Sequence, residues 1–439
     1  MRTPPSTAIG LALALATSGA AAQELDRVER DIVARVEAGA GEKIELLRRL
    51  VDVNSGTMNH GGVREVARLL EDRFRALGFD VRWIEMPPEV DRAGHLFAER
   101  RGERGKKVLL IGHLDTVFEE DSPFQRFERE GGTATGPGVD DMKGGDVVIL
   151  AALEALAAAG ALDGADITVA LTGDEESPGH PIEIARRDLI EAGRRADVAL
   201  GFEGGVGSPR SATVARRGSS GWVLRVTGRS GHSSGVFSDE IGSGAIFEAA
   251  RILNAFHERV RGEEYLTFNP GVILGGTDVR YDEALSRGTA FGKTNVVAQT
   301  VVVQGGLRFI SEEQKERARE RMLEVVADHL PGTTAEIEFT DGYPAMPPTE
   351  GNRRLFEMLD EVSLDLGLGP IEGVDPGARG AADISFVAPY TDGLAGIGPY
   401  GSGAHSIEES VDLDSIRTAT LKAALLIYRL TREEPDGAG

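Results

Sequence analysis

The chain has 439 residues, 41% hydrophobic and 27% charged, with 57 Gly, 19 Pro and no Cys. That composition is globular, of a length for one large or two ordinary domains, and it excludes a disulfide scaffold or a thiolate-ligated metal. Acidic side chains outnumber basic ones 71 to 48, a net charge of −23, which argues against a broad nucleic-acid surface and against an anionic membrane as partner.

Arg2 leads into the apolar run Ala8 to Ala16, and small residues end in Ala20-Ala21-Ala22 before Gln23. This is the pattern of a secretory signal over residues 1–22 with an A-x-A cleavage site, so an exported protein, periplasmic or secreted, is expected. The run is far shorter than the roughly 20 residues of a spanning helix, and no later segment of that length lacks charges, so no membrane anchor is expected in the mature chain.

Glu42 to Leu50 and Val63 to Leu77 space their apolar residues as helices do and close near Asn54 and Gly78. A strand is expected from Phe79 to Ile84. Lys107 to Gly112 is a continuous apolar run bounded by charge and glycine, the signature of a strand buried on both faces of an α/β sheet. His113 and Asp115 lie just past its end. A helix from about Gly144 to Ala159 precedes the strand Ile167 to Thr172, and the strand Asp197 to Phe202 ends at Glu203. Ligands in open α/β sheets bind beyond the carboxyl ends of the strands. His113, Asp115, Glu175, Glu176 and Glu203 are therefore expected to meet at one crevice.

From about Arg216 the pattern changes to amphipathic strands and longer helices. Strands are predicted at Trp222 to Thr227, around Val272 and from Asn295 to Phe309, with a helix from Ile241 to Val260 and another opening at a Ser311–Gln314 capping box. This order describes a small α+β domain, residues 216–335, inserted between two parts of a larger one, 23–215 and 336–439. After the strand Ala335 to Phe339 come a helix from Asn352 to Leu366, a strand from Leu394 to Ile397 and a closing helix from Leu413 to Leu430.

The chemistry gathers at a few short motifs. In His113-Leu114-Asp115, a metal-bound imidazole would find a carboxylate to orient its second nitrogen, although a structural histidine fits the same two residues. Gly136 to Gly145 joins a glycine-rich turn to a helix start and carries Asp140 and Asp141. They suit either a carboxylate bridging two metals or an ordinary capped helix N-terminus. Asp174-Glu175-Glu176 follows a buried strand; adjacent side chains diverge, so one acid can bind metal while its neighbour takes a proton, and three acids in a row need cations to offset them. His405 sits in a Gly-rich stretch before the last helix. Two histidines and three carboxylates, without sulfur, suit two Zn²⁺ about 3.5–4 Å apart, bridged by one carboxylate and one water. Such a site hydrolyses amides, with a free Glu moving the proton from water to the leaving nitrogen. No G-x-S-x-G elbow or thiol offers a covalent nucleophile.

Together, His113-x-Asp115, Gly-x-Gly-x-x-Asp141-Met-Lys-Gly, Asp-Glu175-Glu176, Glu203 and the late His405 resemble the co-catalytic zinc family of aminoacylases, acetylornithine deacetylases, succinyl-diaminopimelate desuccinylases and bacterial glutamate carboxypeptidases. The secreted glutamate carboxypeptidases are the nearest in pattern. The resemblance implies a zinc-exopeptidase-like α/β/α catalytic domain with an inserted small α+β dimerisation (lid) domain. It implies two Zn²⁺ per chain, bridged by Asp141, with His113 and Glu203 completing one and Glu176 and His405 the other; Co²⁺ or Mn²⁺ could take the same donors. Glu175 is then general base and acid, and Asp115 orients His113.

It further implies a homodimer in which the inserted domain lends His232, within Gly228-Arg229-Ser230-Gly231-His232-Ser233-Ser234, to the partner's active site as oxyanion donor. Asn295, in Lys293-Thr294-Asn295-Val296-Val297, would contact substrate, and Arg308 would bind its carboxylate. Two features depart from the pattern. Tyr343, in Gly342-Tyr343-Pro344, stands where glutamate carboxypeptidases can carry an arginine for the substrate carboxylate, and residues 278–292 form a longer segment than usual. The expected activity is zinc-dependent hydrolysis of an amide next to a free carboxylate, releasing a C-terminal amino acid from a peptide or N-acyl amino acid, as in a glutamate-type carboxypeptidase. An N-acyl-amino-acid hydrolase or dipeptidase of the same family is the alternative. A non-catalytic metal- or peptide-binding protein is a remoter one, opposed by Glu175 beside all five ligand positions.

Overall fold

The computed structural model describes residues 24–283 and 285–433; the leader expected over 1–22 lies outside them. Within the run Lys107 to Gly112, Val108 and Leu110 join one apolar cluster while Leu109 and Ile111 join another. This is the alternation of a strand covered on both sides. The larger sheet contains β1 (Asp80–Ile84), β2 (His95–Arg100), β3 (Arg104–His113), β4 (Ala165–Thr172) and β5 (Val198–Gly201), in the order β1-β2-β4-β3-β5, with Asp392–Leu394 beyond β5. The four strands from β4 outward run parallel, while β2 is antiparallel to β1 and β4. Neither β2 nor the short helix α4 below has a place in the sequence reading.

On one face lie α1 (Arg27–Val51), α2 (His60–Ala76), α3 (Lys143–Ala158) and the C-terminal helix; α4 (Arg187–Arg195) packs on the other. The layering is α/β/α. Helix α1 starts well before the expected Glu42, because Asp26 and Glu29 form a capping box in which each side chain accepts the other's backbone N–H. The small residues Ala38 to Gly41 stay helical. A mid-helix glycine costs about 1 kcal/mol against alanine, and packing against α3 and the C-terminal helix offsets it.

A second sheet holds β6 (Gly218–Gly228), β7 (Thr267–Gly276), β10 (Thr300–Phe309) and β11 (Thr333–Asp341) in the order β7-β10-β6-β11, and the long segment after β7 folds into the hairpin β8 (Asp278–Asp282) and β9 (Arg287–Phe291). Helices α5 (Ala245–Arg259) and α6 (Glu312–Ala327) cover one face, packing Ile252, Phe256 and Met322 against Trp222, Leu224 and Val226 in a core of their own. The strand expected from Asn295 begins only at Thr300, and Asn295 lies in a turn before it. At α6 the Ser311 hydroxyl caps the Gln314 N–H, but the Gln314 side chain reaches back to the Ile310 N–H, one residue beyond the N-cap.

The segments entering and leaving this small unit run side by side. Arg216 and Met346 exchange two backbone hydrogen bonds of 2.9 and 3.0 Å, and Ser219 N–H donates to the Tyr343 carbonyl at 2.8 Å. The chain then closes through α7 (Glu350–Asp365) and α8 (Leu413–Leu430). Among the described residues no helix is long and apolar enough to cross a membrane.

Candidate metal centre

Parallel register sets His113, the last residue of β3, opposite Thr172, the last of β4, so His113 and the acids that follow Thr172 emerge at one edge of the sheet. Asp141 reaches the same place from the turn before α3. Gly138 in that turn has φ +83°, and a Cβ there would come within 2.9 Å of Thr116 and Lys143; the tight turn requires glycine.

One oxygen of Asp141 lies 3.1 Å from His113 Nε2 and the other 3.2 Å from His405 Nε2, which is also 3.1 Å from Glu176 Oε2. Ligand atoms of His113, Asp141 and Glu176 all lie within 4.8 Å of one another. Asp141 thus faces two imidazoles with separate oxygens, as a carboxylate joining two ions must. His113 is buried, whereas His405, on the loop between Gly401–Ser402 and Ser410–Asp412, is 58% exposed.

Glu203 stands outside this group. Its Oε2 is held by Arg216 Nη1 at 2.6 Å and by Arg379 Nη2 at 3.2 Å, leaving Oε1 without a hydrogen bond among the described residues.

Asp115 does more than face His113. His113 Nδ1 is 3.1 Å from the Asp115 carbonyl and 3.4 Å from its carboxylate. The same carboxylate accepts the Thr57 hydroxyl at 2.7 Å and the backbone N–H groups of Glu175 and Glu176 at 3.0 and 3.1 Å. One buried acid therefore fixes the imidazole and the following pair of glutamates together. The expected cation beside the three acids is Arg186, whose guanidinium pairs with Asp174 and Asp383 in full burial.

Electrostatics here are those of crowded acids held by protons. Burial opposes charge on His113, yet its hydrogen bonds to Asp115 and Asp141 hold its pKa well above the ordinary value. Asp141 and Glu176 raise His405 to about 10. Burial resists ionisation of Asp141, but the two imidazoles hold it well below the carboxylate range. Burial pushes Glu175 well up and Glu176 up, and burial with the charges of Asp141 and Glu409 raises Asp140 to about 8. The cluster binds protons where a divalent cation would displace them. Its imidazole and carboxylate donors, without sulfur, fit zinc or a similar ion.

The small unit's candidates lie elsewhere. His232 forms a bridge with Val296, and Ser233 N–H donates to the Asn295 carbonyl at 2.9 Å, so His232 and Asn295 share one exposed spot. His232 Nδ1 is occupied locally by the Ser234 hydroxyl at 2.8 Å. Arg308 is exposed near the other end of β10, where it pairs with Ser219 beside Tyr343. None of the three has a hydrogen bond or ion pair to the metal cluster among the described residues.

Sequence reasoning passed over several residues that shape the site. Glu409 is buried and accepts the backbone N–H groups of Gly138, Asp140 and Asp141 at 2.9–3.2 Å, clamping the Asp141 turn to the His405 loop. Its only signal was its place four residues after His405. Arg186, Arg216, Arg379 and Asp383 carry no local pattern at all.

Residues 109–429 match the model of Peptidase family M20/M25/M40. The chain belongs to that family. It is 27% identical over 431 residues to Carboxypeptidase G2 of Pseudomonas sp. (strain RS-16), covering 96% of each chain. It is 24% identical over 419 residues to the Succinyl-diaminopimelate desuccinylase of Polynucleobacter necessarius subsp. necessarius (strain STIR1), covering 89% of this chain and 98% of the relative. Among solved structures, the Bacillus subtilis YXEP protein, described as a dinuclear metal-binding peptidase of the M20 family, superimposes with TM-score 0.64 at 14% identity over 91% of this chain and all of that one. Family membership makes the protein a hydrolase of the metallopeptidase type, and the α/β/α layering is the fold it shares with that neighbour.

Proposed function

We propose that this chain is an exported di-zinc hydrolase that cleaves an amide next to a free carboxylate and releases a C-terminal amino acid, as a glutamate-type carboxypeptidase does. The observation that carries the reading is Asp141 set between His113 and His405, with Glu176 on the second imidazole and Glu175 beside it. His113 with Oε1 of Glu203 would hold one ion, Glu176 with His405 the other, and Asp141 both. What bound zinc supplies at such a centre is a lowered pKa for water and a polarised scissile carbonyl. Glu175 takes the proton from the attacking water and delivers it to the leaving nitrogen, and the burial that raises its pKa makes it a stronger base toward that water.

Residues 216–335 would form the dimerisation unit. Phe237, Ile246, Phe247 and Ile273 are exposed, the Phe237 and Phe247 rings lie 5.5 Å apart, and Ile273 belongs to the edge strand β7. An apolar face beside an open edge is the kind of surface a second copy covers. Between Thr300 and Arg308 the strand advances about 27 Å, which separates Arg308, near the links to the large unit, from His232 and Asn295. Arg308 would serve its own chain's site and His232 with Asn295 the partner's, where His232 would stabilise the oxyanion.

An N-acyl-amino-acid hydrolase or dipeptidase is favoured by one specific observation. The Tyr343 hydroxyl donates inward to the Glu175 carbonyl at 2.9 Å, so this position offers a substrate carboxylate no cation. The deciding experiment offers the zinc-loaded mature protein a pool of N-acyl amino acids, dipeptides and folate-like glutamates, read by mass spectrometry, with Glu175→Ala as control. Release of a C-terminal glutamate is expected to dominate. Preference for another residue or acyl group would establish the alternative, and turnover no higher than the control would leave a binding protein.

A further inference from the structure

Tyr343 occupies the link that leads out of the small unit, two residues after the end of β11, and its side chain turns away from solvent. The ring lies on Phe386, with centroids 4.8 Å apart. Its hydroxyl donates to the Glu175 carbonyl at 2.9 Å and accepts from Arg186 Nη2 at 3.3 Å. The guanidinium of Arg186 is fully buried and bonded at all three nitrogens: Nε donates to Asp383 at 2.7 Å, Nη1 to the Asp174 carboxylate, and Nη2 also to the Asp174 carbonyl at 3.1 Å. Asp383 in turn accepts the Thr172 hydroxyl at the end of β4, and Asp174 accepts the Gly179 N–H at 2.8 Å.

The segment Thr172 to Gly179 is therefore pinned from two sides. Asp115 holds the N–H groups of Glu175 and Glu176, while Arg186 and Tyr343 hold the carbonyls of Asp174 and Glu175. Of these partners only Tyr343 comes from the links to the small unit, where its own carbonyl accepts the Ser219 N–H at 2.8 Å. Burial pushes the phenol well above its ordinary pKa, so the hydroxyl keeps the proton it donates. A carbonyl turned by one peptide rotation re-aims the side chain on the same Cα, and proton transfer is sensitive to such aim.

We propose that Tyr343 is a positioning residue: its hydroxyl, seated on Arg186, fixes the Glu175 peptide and so the aim of the Glu175 carboxylate, tying that aim to the link with the small unit. Position 343 thus acts here through the base, not on the substrate. The proposal rests on the reading of Glu175 as the base.

The test is Tyr343→Phe in the full-length mature protein, which removes one oxygen and keeps the ring. On the best substrate of the pooled assay, kcat is expected to fall five- to tenfold with KM changed less than twofold, and bound zinc, measured by competition with a chelator, to stay the same. Hydrogen exchange in the metal-free protein should quicken in the peptide covering 173–179 and not in α8. In a Glu175→Gln background, Tyr343→Phe should cost nothing further in residual turnover. A KM rise larger than the fall in kcat would overturn the proposal in favour of substrate contact, as would unchanged kcat and exchange in favour of no role. A full penalty in the Glu175→Gln background would show that Tyr343 acts elsewhere. Should Tyr343→Phe not fold, Tyr343→Met, which fills much of the ring's volume and cannot donate, is expected to keep the zinc and lose kcat in the same way; unaltered kcat there would reject the idea. If wild-type and Glu175→Gln turn over equally, the reading of Glu175 fails first, and exchange at 173–179 alone then decides whether Tyr343 holds the segment.

Discussion

The large unit brings its chemistry together, and the small unit leaves its own apart. His113, Asp141, Glu176 and His405 come from four places in the chain and meet within hydrogen-bond distances, whereas His232, Asn295 and Arg308 sit on the small unit, at or beyond the ends of its sheet, and have no hydrogen bond or ion pair to them among the described residues. The difference lies in what each scaffold can fix. Parallel strands in register end at one edge, so groups just past their ends converge with no further instruction. A strand of the small sheet instead carries its residues away at about 3.4 Å per step. Groups at its two ends cannot serve one site within one chain unless the unit moves or a second copy supplies one of them.

The sharpest attempt to break this comparison is Asp141→Ala. Removing the carboxylate that faces both imidazoles is expected to lose both metals and all measurable turnover, read by metal analysis of the dialysed protein. Normal metal content would move the bridge to Asp140, whose buried Oδ1 has no hydrogen-bond partner among the described residues. Glu175→Gln comes next. About two metals per chain should remain while kcat falls by about 10²- to 10⁴-fold, the range for a lost general base; metal loss there would mean that base and ligand have been exchanged. His232→Ala should lower kcat by about 10²- to 10³-fold, as loss of an oxyanion donor does, with metal intact. Mixing His232→Ala subunits with Glu175→Gln subunits should restore part of the activity, because one composite site would then hold both wild-type groups. Absence of rescue would return His232 to its own chain's site or remove it from the reaction.

Much of the centre was legible before the fold was known, and the reason is local. His113, Glu175, Glu176 and Glu203 each follow an apolar run that reads as a buried strand, and Asp141 follows glycines that a tight turn requires. What escaped reading is joined across the chain by burial alone. Arg186 meets Asp383 from 197 positions away, and Glu409 clamps the Asp141 N–H from 268; no period or spacing marks such pairs. The same holds for Glu203, whose place after a strand was plain but whose engagement with Arg216 and Arg379 was not. Helix α1 runs through the small residues Ala38 to Gly41 with α3 and α8 packed against it, contacts that no local pattern announces.

Arg308 gives the smallest expected effect and the finest test of the two-ended sheet. It is exposed, its guanidinium has no hydrogen bond or ion pair among the described residues, and it pairs across the sheet with Ser219, itself bonded to Tyr343. That puts it near the links to the large unit, the end proposed to serve its own chain's site. A charged hydrogen bond to a substrate carboxylate, made equally in ground and transition states, changes KM and leaves kcat alone. Arg308→Ala is therefore expected to raise KM about tenfold, the worth of one such bond, with kcat held within about twofold. Amidating the substrate carboxylate should cost wild type the same factor and cost the variant nothing more. Because Arg308 and His232 lie at opposite ends of the small sheet, their effects should also separate on subunit mixing: Arg308→Ala should fail to complement Glu175→Gln, since both act in the same chain's site. Complementation of that pair would place Arg308 beside His232 in the partner's site and dissolve the distinction between the two ends.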